Sequence, residues 1–220
     1  MDQTSIVLDD VKVEFDLEAI GRKMRTRSSA RAETLLRDLS REAEPIAKPR
    51  AAAKLCAVTV VSDTRLQLDG QAFDSPLLIE NMGELGRAFP YLATEGDELA
   101  EWGRSFSGME RLFANAIQNA AMKQTEALLE KKLRDQFGIT QLSAMNPGSL
   151  MVWPITQQTP LFELLAPLPE KLGITLLPTF MMKPEQTVSG IFFQTDKKFF
   201  SCQLCPRDDC PNRKAPRTAA

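Results

Sequence analysis

The sequence predicts an α+β domain in which a curved sheet, mixed or antiparallel, packs against helices. Three observations predict it. Short β-branched or alternating runs recur between turn signals, as in Leu55-Cys56-Ala57-Val58-Thr59-Val60-Val61 and from Val188 to Phe193. One long stretch after Ser107 repeats its apolar residues at three- and four-residue spacing, the period of a helix. Strands and helices then follow one another in an order that suits an antiparallel sheet with helices laid on it.

The 220 residues suffice for one large domain or two small ones, with a core that needs no disulfides. Residues 6–16 alternate briefly, which predicts a strand or an extended arm. From Leu17 to about Glu44 the pattern is helical, and Arg22, Lys23, Arg25, Arg27 and Arg31 crowd its start. Two readings of that basic run stand: a solvated helix face, or a docking arm for an acidic partner. Pro45, Pro49 and the alanine run that ends at Ala53 read as a connector. Residues 1–50 are therefore expected to form an N-terminal helical arm, and residues 51–205 a compact domain.

Within that domain the strand at 55–61 leads to Arg65-Leu66-Gln67-Leu68, and Asp69-Gly70 marks a tight turn into Gln71-Ala72-Phe73. Ser75-Pro76 fits a helix N-cap with proline at the first position, for a helix running to about Gly86. Phe89 to Thr94 is a short strand, and Glu95-Gly96-Asp97 turns into a helix carrying Leu99 and Trp102. Met109, Leu112, Phe113, Ala116, Ile117, Ala120 and Ala121 mark the long helix, which Gly138 ends as a C-cap. A strand at 139–142, a turn at Pro147-Gly148 and a helix at 160–165 follow, then strands at 174–177, 188–193 and 199–202. Residues 202–220 are read as a cysteine cluster with a loosely ordered basic tail.

Composition excludes several classes of function. A net charge of −2 gives no global case for nucleic acid or membrane. No apolar run approaches the ~20 residues of a membrane span. The opening Met1-Asp2-Gln3-Thr4 is polar and acidic, unlike a signal peptide, so the protein is expected to be cytoplasmic. The chain has no histidine, which rules out histidine-based triads and metal sites. Acid–base work near neutral pH would fall to carboxylates, lysines, Tyr91 or cysteines.

Cys202, Cys205 and Cys210 stand in a C-x2-C-x4-C spacing. Two thiolates two residues apart can share one metal, and thiolates suit iron–sulfur clusters and zinc. Four readings are open: a [4Fe–4S] cluster, a structural zinc, redox-active thiols, or no site. Cys56 is the remaining thiol that could complete the set, although a solitary cysteine is more often a buried apolar residue. Arg207, Arg213 and Lys214 would offset thiolate charge. A reducing compartment argues against disulfides. Elsewhere, Pro147 and Gly148 permit a tight loop through Ser149 to Trp153 whose N–H groups face a ligand, and Ser189-Gly190 permits close backbone approach. Both features also read as plain turn and bulge chemistry.

The ordered set Asn146-Pro147-Gly148-Ser149, Trp153-Pro154, Leu161-Phe162-Glu163-Leu164-Leu165, Leu172-Gly173-Ile174 and Phe180 to Phe193, with Val188-Ser189-Gly190 inside it, resembles the activation domain of cobalamin-dependent methionine synthase. The specific match covers about a quarter of the chain and a looser one roughly residues 55–205. In that family the domain binds S-adenosylmethionine and presents it to inactive cobalamin during reductive remethylation. The resemblance implies that fold and a cofactor-facing set of Pro147, Gly148, Ser149, Trp153, Ser189 and Gly190. It also implies S-adenosylmethionine as ligand and cobalamin carried by a corrinoid methyltransferase partner. Ala144 and Ser149 stand where the family pattern has arginine and tyrosine, and Pro178 where it has glutamate. Lacking histidine, the chain offers no imidazole to cobalt. The expectation is an accessory protein for reductive activation of a corrinoid-dependent methyltransferase, carrying an iron–sulfur cluster on Cys202, Cys205, Cys210 and Cys56. The alternative is a non-catalytic docking module for a corrinoid protein, with a structural zinc.

Overall fold

The computed structural model describes residues 4–9, 11–24, 26, 29–196, 199–205, 207 and 215–217. Cys210 and most of the basic tail lie outside the described residues, as do Arg25 and Arg27.

The alanine run read as a connector is a strand at the centre of the sheet. Strand β1 (Ser5–Leu8) pairs with β2 (Arg50–Lys54), whose three alanines are at most 1% exposed. Small side chains let helices approach on one face and apolar residues on the other. The pairing comes from neighbours distant in sequence, which is why local composition misses it. Beyond Leu55 the chain continues as β3 (Cys56–Ser62) in the same register against β6 (Arg87–Thr94), from Arg50↔Thr94 to Ala57↔Arg87. Strand β3 then diverges to pair with β4 (Arg65–Leu68), and β4 with β5 (Gln71–Asp74). The turn between β4 and β5 has positive φ at Asp69 and Gly70, as the predicted tight hairpin requires.

The other edge of β6 pairs with β10 (Thr187–Gln194), and β10 with β7 (Leu142–Met145). All of these pairings are antiparallel, and the sheet does not close. A separate small ribbon joins β8 (Thr175–Leu176) to β9 (Met182–Lys183).

Alternation along the strands splits the core in two. Ala51, Ala53, Phe89, Tyr91 and Phe192 face helices α1 (Leu17–Met24), α2 (Ala30–Ala43), α4 (Asp97–Arg104) and α5 (Gly108–Phe137). Ala52, Leu92, Ile191 and Phe193 face α3 (Pro76–Met82), α6 (Gln158–Leu165) and α7 (Leu168–Lys171). Residues of the N-terminal stretch, among them Ile6, Val11, Ile20 and Leu36, share the first core with Phe89 and Tyr91.

The helical stretch from Leu17 is two helices rather than one, with Ser29 capping the second by accepting from the Ala32 N–H. Helix α3 ends at Met82, short of Gly86. Gly138 ends α5 in the left-handed conformation, as expected. The strand expected at 139–142 begins only at Leu142. A 3-10 turn at Ser201–Gln203 replaces the strand expected at 199–202, because Phe199 N–H donates to the Ser143 hydroxyl (2.7 Å) where a ladder would need its carbonyl. No helix among the described residues is long and apolar enough to cross a membrane.

Candidate functional site: a cleft between the long helix and the sheet edge

Helix α5 crosses the first face of the sheet, and β7 ends beside it at the Pro147-Gly148 turn. Between them lies a cleft of about 350 Å³, walled by Glu126 and Glu130 from α5, Asn146 and Ser149 from the turn, and Phe199 and Cys202 from the tail. The helix period puts Glu126 and Glu130 on one face.

A connected, largely buried polar group underlies its floor. Tyr91 O–H donates to Glu126 Oε1 (2.7 Å). Asn146 Nδ2 donates to Tyr91 Oη (2.9 Å) and to the Ser189 carbonyl (2.8 Å). Ser189 Oγ donates to Gln158 Oε1 (2.7 Å). The Tyr91 ring stacks on Phe192 at 3.9 Å between centroids. Burial, and then the neighbouring Glu126 carboxylate, push the Tyr91 hydroxyl well above its ordinary range. Tyr91 therefore serves as a neutral donor that orients Glu126, and does not act as a base.

Gly190 lies opposite Tyr91 in the β6–β10 register. A Cβ there would fall 2.5 Å from the Met145 carbonyl, 2.6 Å from Asn146 Nδ2 and 2.9 Å from Tyr91 Cε1. The glycine is what lets the Asn146 amide settle onto the tyrosine. This is the close approach that the Ser189-Gly190 pair suggested.

The Pro147-Gly148 loop uses its N–H groups on itself. Gly148, at φ 80°, donates to the Trp153 carbonyl (2.8 Å), and Ser149 to the Asn146 carbonyl (3.1 Å). Trp153, expected to face a ligand, is 1% exposed and packs in the core of the opposite face with Leu161 and Ile191. Of the six residues expected to face a cofactor, Ser149 lines the cleft. Pro147 and Gly148 shape the turn, Trp153 anchors it, and Ser189 and Gly190 support the floor. Asn146, Glu126, Glu130 and Lys123 belong to the polar lining that sequence reasoning missed. Helical spacing pairs the two glutamates, but only the fold shows which face of α5 meets the sheet edge.

The cysteines divide. Cys202 lines the cleft, and Cys205 N–H reaches the Cys202 carbonyl (3.4 Å), closing the turn between them. Cys56 is 1% exposed in the core of the opposite face. Burial, and then the Asp69 carboxylate, push its thiol up to about 12. A neutral thiol behind the sheet is not a metal ligand beside Cys202. Among the described residues no three metal-ligating side chains come together.

Tyr91→Phe should test the floor directly. Without the hydroxyl, Glu126 Oε1 and Asn146 Nδ2 each lose a buried partner, so unfolding free energy should fall by about 1–3 kcal/mol in urea titrations. An unchanged midpoint would mean that water replaces the hydroxyl at no cost.

An open antiparallel sheet carrying helices on both faces is a fold this chain shares with a methionine synthase reactivation domain. One solved structure that shows the likeness is that of the MetH reactivation domain bound to AdoHcy. It superposes with a TM-score of 0.60, covering 90% of this chain and 81% of that one at 18% identity. The fold expected from residues 146–193 is the fold observed; at this identity the likeness is one of fold. No family model matches the chain, and no curated protein matches it in sequence.

Proposed function

We propose that this chain is an accessory protein for reductive activation of a cobalamin-dependent methyltransferase, and that its cleft takes S-adenosylmethionine while a corrinoid protein brings the cobalamin. The observation that carries this reading is the oriented Glu126 on the cleft wall, with Glu130 one turn along α5. Two carboxylates beside aromatic Phe199 and Phe200 suit a ligand that joins a cation to a flat heterocycle. The fold relative holds AdoHcy, which supports a nucleoside ligand of this kind. S-adenosylmethionine, when bound, supplies an electrophilic methyl group to a reduced corrinoid. The chain's own part is to hold and orient: Tyr91 fixes Glu126, Asn146 fixes Tyr91, and Ser149 lines the same space.

Calorimetric titration with S-adenosylmethionine tests the reading. Glu126→Gln keeps an acceptor for Tyr91 but removes the charge, and should weaken binding about tenfold with little change in stability. Absence of binding to the wild-type chain would remove the ligand from the proposal.

For a metal, Cys56 does not fit. The proposal reduces to Cys202, Cys205 and Cys210, with Cys210 outside the described residues, holding an iron–sulfur cluster. Anaerobically purified protein should contain iron and acid-labile sulfide, both reduced in Cys205→Ala. Zinc in their place would favour the second reading, a non-catalytic corrinoid-protein docking module. That reading is supported by the loop N–H groups of Gly148 and Ser149, which bond within the loop. Absence of any metal would leave the cysteines without that role.

A further inference from the structure

The sheet ends at β1, which pairs with β2 along one edge and with no strand among the described residues along the other. The ladder decides which backbone groups that open edge presents. The Leu55 N–H donates to the Thr4 carbonyl (2.7 Å), one step before the first register pair, Ser5↔Lys54. Hydrogen-bonded pairs alternate along an antiparallel ladder. Ile6 and Leu8 therefore turn their N–H and C=O groups toward β2, while Ser5 and Val7 turn theirs away from it.

A groove of about 510 Å³ lies against this edge. Ser5 and Val7 line it from β1, Lys132 and Gln136 from α5, and Pro167 and Lys171 from α7 and the residue before it. Helix α5 packs on the first face of the sheet through Leu129 and Leu133, and α7 on the second through Leu168. A space bordered by both must lie beyond the end of the sheet, alongside β1. The two helical layers are its walls, and the outward backbone of Ser5 and Val7 is its floor.

Two observations identify the occupant. The first is the floor, since N–H and C=O groups repeating at strand spacing are matched by the main chain of another strand. Strand β1 is Ser-Ile-Val-Leu in regular register, with none of the charges, prolines or bulges that close an edge to pairing. The second is the walls. Lys132 and Lys171 stand on opposite sides, exposed, and neither forms an ion pair among the described residues. Lys54 is neutralised by Asp69 (3.4 Å), and Asp9 is the acidic member of the lining. Side chains of a strand alternate between its two faces, so acidic residues on both faces would meet a lysine on each wall. A second copy does not fit, because its β1 is recessed between the same walls and brings the same lysines. The tail of this chain has the wrong sign, with Arg207, Arg213, Lys214 and Arg217 against Asp208 and Asp209.

We propose that the open edge of β1 is a docking slot for an extended acidic segment of a partner protein. The segment adds a strand to the sheet through main-chain hydrogen bonds to Ser5 and Val7, between Lys132 and Lys171. This slot shares no lining residue with the cleft and does not depend on the ligand proposed there.

The probe is a short fluorescent peptide of threonine and valine with glutamates on both strand faces. Its controls are a counterpart with the same side chains and N-methylated amides, and one with lysine in place of glutamate. Anisotropy with the full chain should show binding of the acidic peptide and of neither control, and the peptide should slow amide exchange at Ser5 and Val7. Val7→Pro removes an N–H that faces the groove and leaves the bonds of Ile6 and Leu8 to β2, a placement that an edge strand tolerates. It should weaken binding about tenfold with unchanged circular dichroism, and Lys132→Glu with Lys171→Glu should together do the same. Absence of binding by the acidic peptide would overturn the proposal. So would equal binding of either control, a folded Val7→Pro chain that binds like the wild type, or self-association of the chain that Val7→Pro abolishes. Should Val7→Pro fail to fold, the N-methylated control and the exchange of Ser5 and Val7 decide the matter in the wild-type chain.

Discussion

Gly190→Ala should destabilise the protein by ~3 kcal/mol, at the upper end of what overpacking costs. The position has no room on either side: β6 and β7 both pair with β10, and the added methyl would meet the Met145 carbonyl at 2.5 Å and the Asn146 amide at 2.6 Å. Of these, the amide can move and the carbonyl belongs to a paired strand. The expected result in urea is a lower midpoint with an unchanged slope, and weaker S-adenosylmethionine binding if the displaced Asn146 releases Tyr91. In an Asn146→Ala background the penalty should shrink without vanishing, because the Met145 carbonyl remains. A loss below about 1 kcal/mol, within the range of ordinary substitutions, would show that β7 yields easily and that the glycine is not what seats the asparagine.

Glu95 should give the protein a stability that falls as pH rises toward neutrality. Its side chain is 1% exposed where β6 turns toward α4, and Oε1 accepts from the Gln186 N–H (3.0 Å). Burial raises its pKa from 4.5 to about 7; Glu185 adds to the rise, while the Gln186 hydrogen bond, Arg111 and Arg104 oppose it. A carboxyl whose folded pKa exceeds its unfolded one binds its proton more tightly in the folded state. Stability is then highest below pH 4.5, declines through the window up to about 7, and is flat above it as far as this group is concerned. Glu95→Gln retains the acceptor for Gln186 and removes the charge. It should abolish that decline and exceed the wild type at pH 8 by on the order of 2 kcal/mol. Parallel denaturation curves at pH 5 and pH 8 decide the matter. A variant less stable than the wild type at pH 8 would mean that Arg111 and Arg104 outweigh burial and that the folded pKa of Glu95 is not raised.

Some of this could be read from local sequence because the cause is local. Asp69-Gly70 specifies a hairpin turn through its own backbone preferences, and the period of α5 reports part of its buried face, Phe113, Ile117 and Ala121, while Met109 and Leu112 of the same series are exposed. The alanines of β2 carry no such signal, since they become a strand only when β1 and β6 arrive on either edge. The 199–202 segment shows the converse: Phe199 and Phe200 have strand-like character, yet no neighbouring strand completes a ladder with them. At the site, Pro147, Gly148 and Gly190 were visible as backbone chemistry. Glu126 and Asn146 were not, because their significance depends on Tyr91, which lies 35 and 55 residues away in sequence. Cys56 was joined to the cluster by count alone, and the sheet separates it from Cys202.

Strand β6 is hydrogen-bonded along both edges, to β2 and β3 on one side and to β10 on the other. Amide protons at its centre are thus released to solvent only when the whole sheet comes apart, and they belong to the slowest-exchanging unit of the molecule. Tyr91 sits in that unit, fully buried beneath the cleft, where its hydroxyl holds Glu126 of the wall. The cleft is therefore backed by the most persistent part of the fold, and adaptation to an incoming ligand is expected at the rim, where the Phe199 N–H bond to the Ser143 hydroxyl joins the 199–205 segment to the sheet. Exchange rates measured with and without ligand should change at that rim and stay constant along β6.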